Sequence, residues 1–302
     1  MLDLPADFVR NINNSFGPKG TQYLAELPAL LDAAALRWGL TIGRPLPLSY
    51  NYVTSAKRAD GTEVVLKIGV PNPELTSEME ALRLYAGRGA VRLIDAHAEK
   101  GMLLEERLLP GSMLAALQDD EQATQIAAGL MSSLWRPVPG ENHFICLQDW
   151  FGELKKLRPR FDGGTGPFPP AVVETCEALL QDFFAENETP VVLHGDFHHY
   201  NVLQAGDTWK AIDPKGVIGP RGYEVGPLLI NPYPEFLRNA DAKRKTERRM
   251  AILAERLGIE RARIRGWGIA HAVLSAWWSS DESGHGGEYS MACAELFMSI
   301  RE

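Results

Sequence analysis

The chain has 302 residues, of which 45% are apolar and 23% charged, and its formal net charge is -8. This length and composition fit a globular protein with two lobes and exclude collagen-like, coiled-coil and disordered classes. The negative charge argues against nucleic acid as a partner, because phosphate backbones are bound by clustered Lys and Arg.

The cysteines and the amino terminus indicate the cellular compartment. Cys146, Cys176 and Cys293 are odd in number and widely spaced, so we expect neither a disulfide framework nor a zinc site. The start of the chain lacks a basic segment followed by an apolar run, and no stretch approaches the roughly 20 apolar residues of a membrane span. We therefore expect a cytoplasmic protein that is neither exported by that route nor membrane-spanning.

The first third of the chain alternates helical and extended patterns. Residues 1–45 carry one helical pattern, which ends at Gly39 and is closed by a Pro-x-Pro turn. Strands then dominate up to Gly69, and the segment TEVVLKI at 62–68 follows the hairpin signal RADG. Helical spacing is predicted for residues 73–89, and a hairpin for residues 91–108.

The remaining chain is predicted to be mainly helical. Residues 118–135 and 171–186 have amphipathic spacing and are separated by a connector rich in Pro and Gly at 158–170. The basic run at 242–250 alternates with helix formers, which favours a solvated helix face.

The stretch from residue 191 to residue 213 carries the chemistry. A buried strand leads to the pattern H-x-D-x-x-x-x-N, and a second Asp follows a hairpin. In a phosphoryl-transfer site, Asp196 would accept the proton of the attacking hydroxyl, while Asn201 and Asp213 would bind Mg²⁺. The alternative is that Asp196 and Asn201 are turn residues. For His194 a scaffold role suits its position better than proton transfer.

Lys67 is the only charge in the apolar half of its strand, so it is the candidate cation for the α and β phosphates. Glu78 falls at the edge of the apolar stripe of the next helix and is the first choice to pair with Lys67. Glu80 is the second choice. The alternatives are an edge lysine with a solvated head and a solvated helix carboxylate.

Several motifs together resemble the aminoglycoside phosphotransferases, in particular the branch of streptomycin kinases and hydroxyurea-resistance kinases. They read, in chain order, VVLKIG, EALRLYAGRGAVRLID, LLEERLLPGSML, HGDFHHYNVL and IDPKG. The resemblance covers about residues 45 to 300 and implies an α+β, protein-kinase-like fold that uses ATP with Mg²⁺. It implies a small amino-terminal lobe with an antiparallel sheet (1–107) and a larger, mainly helical carboxy-terminal lobe (108–302).

The resemblance also implies nucleotide contacts. The hinge at Glu106 to Leu108 would bind adenine through its main chain. The pattern G-x-G-x-x-G is missing, so phosphate contacts in the first turn would come from the backbone and side chains of Ser49, Tyr50 and Asn51. Asp213-Pro214-Lys215 replaces Asp-Phe-Gly, which suggests a site that is always assembled. Lys215 would stabilise the transferred phosphoryl group, or is a surface lysine.

Candidates for the acceptor pocket lie beyond the second Asp. They are Glu224, Trp277, Trp278, Asp281, Glu282 and Glu288, with Asp149 and Trp150 as further candidates. Carboxylates near tryptophans can bind a guanidinium or ammonium group. The alternative is that the tryptophans are core and the carboxylates solvated.

These residues predict an ATP-dependent kinase that phosphorylates an alcohol of a cationic aminocyclitol such as streptomycin. One alternative keeps this chemistry and changes the acceptor to hydroxyurea or a metabolite alcohol. A second alternative is a non-catalytic nucleotide-binding scaffold, which would have no use for the proton acceptor Asp196.

Overall fold

The amino-terminal part of the protein is a five-stranded antiparallel sheet flanked by helices, seen in a computed structural model that describes residues 2–280 and 285–301. The strand order is β1-β2-β3-β5-β4. The elements are α1 (Ala6–Phe16), α2 (Pro18–Trp38), β1 (Leu40–Pro45), β2 (Tyr52–Arg58), β3 (Glu63–Ile68), α3 (Pro73–Tyr85), β4 (Leu93–His97) and β5 (Met102–Glu106).

The register of β3 and β5 separates the two faces of this sheet. Leu66 lies opposite Leu104, and both pack in one apolar cluster with α1 and α2. Lys67 lies opposite Leu103, which packs in the other cluster, together with Met79 of α3. Because successive side chains alternate between faces, Lys67 is directed to the side of α3 and the second lobe.

The leading segment differs in part from the prediction. The helix that ends at Gly39 is present as α2, and Gly39 has the left-handed conformation, with a φ of 62°. Residues 40–45 form β1 instead of continuing a helical segment, and α1 was not predicted. Phe8 and Ile12, the buried residues of α1, are four residues apart, and Phe16 packs against the same apolar cluster. This helical spacing is present in the sequence and was overlooked.

The carboxy-terminal part is mainly helical, as predicted. Its elements are β6 (Pro110–Met113), α4 (Asp120–Leu134), β7 (Arg136–Pro137), β8 (Ile145–Cys146), α5 (Leu147–Gly152), α6 (Leu157–Arg160), α7 (Pro170–Ala185), β9 (Val191–Leu193), β10 (Val202–Ala205), β11 (Thr208–Ala211), β12 (Val217–Gly219), α8 (Val225–Leu229), α9 (Glu235–Arg238), α10 (Ala242–Leu257), α11 (Arg261–Ser279) and α12 (Glu288–Met298). Trp267 of α11 is fully buried and stacks on Phe183 of α7 at 4.3 Å. Among the described helices, none combines the length and apolar character that a membrane crossing requires.

The basic run at 242–250 begins α10, but its prediction as a solvated face is wrong for one residue. Arg249 is only 2% exposed. Its Nε lies 3.0 Å from Asp120 Oδ2, at the first residue of α4. A buried guanidinium needs a paired carboxylate, and Asp120 is too distant in sequence for the pattern to indicate it.

The predicted chemical motifs of residues 191–213 lie on two small sheets and the loops between their strands. One has the order β11-β10-β6 and the other β7-β9-β12-β8. Strands β10 and β11 form the predicted hairpin, in which Val202 lies opposite Ala211. The lobe boundary predicted after residue 107 falls in the connection between the end of β5 and the start of β6.

Candidate active site

The loop after β9 presents Asp196 at the junction of the two lobes. Gly195 has a φ of 86°, and a Cβ there would lie 2.6 Å from Val217 Cγ2, so the turn requires glycine. Asn201 Nδ2 donates to the main-chain oxygen of Asp196 at 3.0 Å. The loop therefore fixes Asp196 and Asn201 relative to each other before any ligand binds.

Asp196 is held as a carboxylate. Burial alone would raise its pKa, but His198 and Lys215 outweigh burial and hold the pKa of Asp196 well below its ordinary value. His198 Nε2 lies 3.5 Å from Asp196 Oδ1. An ionised carboxylate at this position can accept a hydrogen bond from a hydroxyl group and orient it.

Asn201 and Asp213 lie side by side, as the two-strand interpretation predicts. Ile212 N donates to Asn201 O at 2.9 Å, so the residue before β10 adjoins the residue after β11. Asp213 has a φ of 57°, a left-handed conformation that is uncommon outside glycine and is concentrated at functional sites. Its side chain is 42% exposed, so its oxygens are accessible to a cation.

Lys67 joins the two lobes through its ammonium group. Lys67 Nζ lies 2.6 Å from Glu78 Oε1 and 3.1 Å from Asp213 Oδ1. Burial lowers the pKa of Lys67, but Asp213 and Glu78 more than compensate and raise it above its ordinary value. Glu80, the second choice, instead accepts a hydrogen bond from His143 N at 2.8 Å.

A cleft of about 660 Å³ opens in front of these groups. Its lining residues are Ser15, Phe16, Tyr50, Asn51, Asn72, Glu74, Leu75, Glu78, Trp150, Gly195, Asp196, Lys215, His271 and Trp278. Trp150 and Trp278 meet edge to face with centroids 5.3 Å apart, and Trp278 is 47% exposed. The cleft therefore combines charged residues, among them Asp196 and Lys215, with an aromatic wall of Trp150 and Trp278.

The aminoglycoside/hydroxyurea antibiotic resistance kinase family matches residues 45–283 of this sequence. The chain belongs to this family. The chain is 30% identical over 285 residues to a streptomycin 6-kinase of Streptomyces glaucescens, covering 93% of this chain and 92% of the relative. It is 31% identical over 288 residues to a hydroxyurea phosphotransferase of Kitasatospora aureofaciens, covering 93% and 82%.

A solved structure supports the fold. A thermostable mutant of aminoglycoside phosphotransferase APH(4)-Ia, in a ternary complex with ADP and hygromycin B, matches with a TM-score of 0.58 and 15% identity, covering 88% of this chain and 97% of the other. The kinase-like α+β fold and the membership in the aminoglycoside phosphotransferase family are thus confirmed. The protein is a phosphotransferase of this family, and its acceptor group is a hydroxyl.

The prediction that Glu224 contacts the acceptor is wrong. Glu224 has no exposed surface. Its two carboxylate oxygens accept hydrogen bonds at 2.8 Å from His194 N and Gly195 N, beneath the loop of Asp196. Burial raises the pKa of Glu224 to about 7, although the two amides lower it. In this kinase Glu224 supports the loop.

Two further acceptor candidates face away from the cleft. Trp277 is 6% exposed, and the guanidinium of Arg160 lies 4.0 Å from its ring centroid. Asp149 is exposed but lines a separate surface hollow together with Phe184. Trp150 and Trp278 therefore remain as the aromatic candidates.

Glu288, the acidic candidate at the start of α12, does not line the cleft. It is exposed and accepts a hydrogen bond from Gly286 N at 3.0 Å. Asp281 and Glu282 lie outside the described residues. Glu74 is an exposed carboxylate that lines the cleft in addition to Glu78 and Asp196, and its Oε2 lies 3.9 Å from Lys215 Nζ.

Two histidines of the site were missed from the sequence. His198 beside Asp196 could have been found, because it lies within the same motif. His271 lines the cleft, and its Nδ1 lies 3.1 Å from Tyr223 OH. Burial lowers the pKa of His271 to about 4, so the ring is neutral. His271 lies among apolar residues of α11, so no sequence motif marked it as a residue of the site.

The predicted nucleotide contacts lie where the lobes connect. Glu106 N donates to Arg92 O at 3.0 Å, and the Glu106 side chain binds Arg92 N and Lys210. The N–H of Glu106 is thus occupied, and a bound base would find its main-chain donors at Arg107 or Leu108. In the first turn, Ser49 O accepts a hydrogen bond from Asn11 Nδ2 of α1.

Proposed function

We propose that this kinase transfers the γ-phosphoryl group of ATP to a hydroxyl group of a cationic aminocyclitol such as streptomycin. The observation that carries the proposal is one cleft lined by Glu78, Asp196 and an aromatic wall. Lys67 Nζ lies beside this cleft and contacts both Glu78 and Asp213. A phosphoryl donor and an alcohol acceptor would both fit between these groups.

Each group has a role that its surroundings support. Lys67, held by Glu78, would position the α and β phosphates. Asn201 and Asp213 would hold Mg²⁺, which prefers hard oxygen ligands and needs one or two of them from the protein when phosphates supply the others. Bound Mg²⁺ would neutralise charge on the phosphates.

Asp196 would accept a hydrogen bond from the acceptor hydroxyl and aim its oxygen at the γ-phosphorus. As the new O–P bond forms, the bond between the γ-phosphorus and the β–γ bridging oxygen breaks and ADP leaves. The hydroxyl proton passes to Asp196. Lys215 Nζ would lie close enough to offset negative charge on the transferred group, because Asp196 contributes to the raised pKa of Lys215.

A cationic acceptor is favoured by the wall of the cleft. The π faces of Trp150 and Trp278 attract guanidinium and ammonium groups, and the exposed Glu74 adds a carboxylate. The 30% identity to a streptomycin 6-kinase supports the same acceptor class. The 31% identity to a hydroxyurea phosphotransferase keeps a small neutral acceptor as the second candidate.

The test is a coupled assay of ADP release, with ATP and Mg²⁺, across streptomycin, other aminoglycosides, hydroxyurea and common metabolite alcohols. The proposal expects streptomycin or a related cation to stimulate release most, and the product to be confirmed by mass spectrometry. Asp196→Asn should reduce the stimulated rate by about 10³-fold or more, as loss of an oriented base does. Asp207→Asn, an exposed carboxylate in the nearby hairpin, is the matched control. Stimulation by hydroxyurea alone would overturn the cationic acceptor.

A further inference from the structure

Strand β5 ends in two adjacent carboxyl groups with opposite surroundings. Glu106 is bound by Arg92 N and by Lys210. Glu105 is only 4% exposed, and its Oε1 is buried without a hydrogen-bond partner among the described residues. A buried polar atom without a partner is destabilising, and a bound ligand with a complementary group would satisfy it.

The register shows which way Glu105 points. Glu105 lies opposite Val65 on β3, and Leu103 lies opposite Lys67. Residues two apart on a strand share a face, so Glu105 lies on the face that carries Lys67. The face covered by α1 and α2 carries Leu66 and Leu104 instead. Glu105 therefore lies on the same sheet face as Lys67, between Lys67 and the connection that follows Glu106.

Among the described charged residues near it, Glu105 is the carboxyl group without a contacting positive charge. The charged groups close enough to act on Glu105 are Lys67 on β3, Glu78 on α3, Asp213 after β11 and the neighbouring Glu106, whose side chain points to the opposite face of the strand. Lys67 already contacts Glu78 and Asp213. Burial raises the pKa of Glu105 to about 8, against the attraction of Lys67. A protonated carboxyl has one donor and one strong acceptor.

We propose that the Glu105 carboxyl contacts the purine base of the bound nucleotide and selects adenine over guanine. The inference rests on the proposed function, in which the phosphates lie at Lys67 and the base lies at the main chain of residues 106–108. Glu105 immediately precedes that main chain. When N1 and the 6-substituent of a purine meet the hinge, the edge formed by the 6-substituent and N7 turns toward the strand.

The chemistry of that edge distinguishes the two purines. Adenine presents the N6 amino donor and the N7 acceptor, whereas guanine presents two acceptors, O6 and N7. The Glu105 acid can accept from N6–H and donate its O–H to N7, which satisfies the orphan oxygen. Against guanine, one carboxyl oxygen would face O6 with no hydrogen between them. Gln forms the same bidentate pair with adenine that we assign to the acid.

The experiment measures Kd by titration calorimetry for ATP, GTP and 7-deaza-ATP, which lacks the N7 acceptor. The proteins are the parent, Glu105→Gln, Glu105→Leu and the control Glu63→Gln, which neutralises an exposed carboxylate on β3. The parent, the Gln variant and the control should prefer ATP over GTP by about tenfold or more, and should bind 7-deaza-ATP about fivefold or more weakly than ATP. The Leu variant should bind all three within about threefold of one another.

The outcomes separate the inference from the proposed function. A parent that binds ATP with no penalty for 7-deaza-ATP overturns the contact with N7, and this arm does not depend on whether the Leu variant folds. A Leu variant that keeps the preference for ATP over GTP overturns the selectivity role. In both cases nucleotide binding, and with it the proposed function, stands. A parent that binds no triphosphate overturns both proposals.

Discussion

The hydroxyl group of Ser77 donates a hydrogen bond to the main-chain oxygen of Gly216 at 2.6 Å. Ser77 precedes Glu78 on α3, and Gly216 follows the loop of Asp213, so this bond holds the helix of one lobe against the metal-site loop of the other. Gly216 has a φ of 64°, and a Cβ there would lie 2.7 Å from Ser77 O.

Ser77→Ala should therefore lower the free energy of unfolding by about 0.5 to 1.5 kcal/mol, because Gly216 O loses the shorter of its two hydrogen bonds and keeps the one from Ile145 N at 3.3 Å. It should also weaken ATP binding. Ser132→Ala removes an exposed hydroxyl that bonds only within its own helix and is the control. Urea unfolding curves that superimpose for parent and Ser77→Ala would contradict the role of this bond.

Lys67→Ala should weaken the binding of ATP more than that of the acceptor, because the cation that faces the phosphates is lost. Glu78→Ala should produce the same defect in a milder form, since it removes the partner that holds Lys67. Glu80→Ala should resemble the parent, because Glu80 binds His143. Fluorescence titration with ATP compares the three. A larger defect in Glu80→Ala than in Glu78→Ala would contradict this assignment.

Asp213→Asn should raise the Mg²⁺ concentration needed for half-maximal activity, because a neutral amide is a poorer ligand for a hard cation than a carboxylate. The rate at saturating Mg²⁺ should recover in part. Mg²⁺ titrations of the parent, Asp213→Asn and the exposed control Asp207→Asn provide the comparison. If the curves of Asp213→Asn and the parent coincide, Asp213 serves the structure alone.

The buried carboxyl of Glu224 should make stability depend on pH. Its pKa is raised from 4.5 to about 7 in the folded protein, so the native state binds more protons than the unfolded state between these values. The contribution of Glu224 to stability therefore falls as the pH rises from about 4.5 to about 7. Glu224→Gln stays neutral and should gain stability relative to the parent over this range.

The relative gain should approach about 3 kcal/mol between pH 4.5 and pH 8, which is the shift expressed as free energy. Denaturation at a series of pH values measures it. A difference between parent and Glu224→Gln that does not change with pH would show that the carboxyl is ionised throughout. Activity of Glu224→Gln should fall at every pH, because one acceptor for the amides of the Asp196 loop is lost.

Trp278→Ala should raise the KM for a cationic acceptor by about two- to fivefold, the size of an exposed cation–π contact. The KM for ATP should be unchanged. Glu288→Gln should leave both KM values at parent levels, because Glu288 does not line the cleft. Steady-state kinetics with both substrates varied separates these effects. A flat acceptor KM in Trp278→Ala would exclude the aromatic wall from acceptor binding.

The parts of the site that lie close together in sequence could be predicted from it. The spacing of Asp196 and Asn201 follows from one loop between two strands, and the hairpin β10–β11 brings Asp213 beside them. The helical phase of α3 selected Glu78 over Glu80. In each case the relative positions of the side chains follow from the regular spacing of residues within one helix or hairpin. That spacing is visible in the sequence.

The parts that depend on distant burial could not be predicted. In the sequence, Glu224 follows a loop and looks like a carboxylate of a pocket. In the structure it is buried and accepts hydrogen bonds from the main-chain amides of His194 and Gly195, which lie 30 and 29 residues earlier in the chain. Arg249 occurs in a basic run and is buried by pairing with Asp120. A charged side chain is usually exposed unless the fold buries it beside a group that pairs with it. A single sequence does not identify that group.

The short helix α1 sets a limit on how far the chain can be trimmed. The family match begins at residue 45, so a truncated version of the protein could be designed to start there. Such a cut would delete Ser15 and Phe16 from the wall of the cleft and would leave Ser49 without the amide of Asn11. It would also expose the sheet face that packs beneath α1 and α2. A minimal active fragment of this enzyme must therefore include α1 from Ala6 onward.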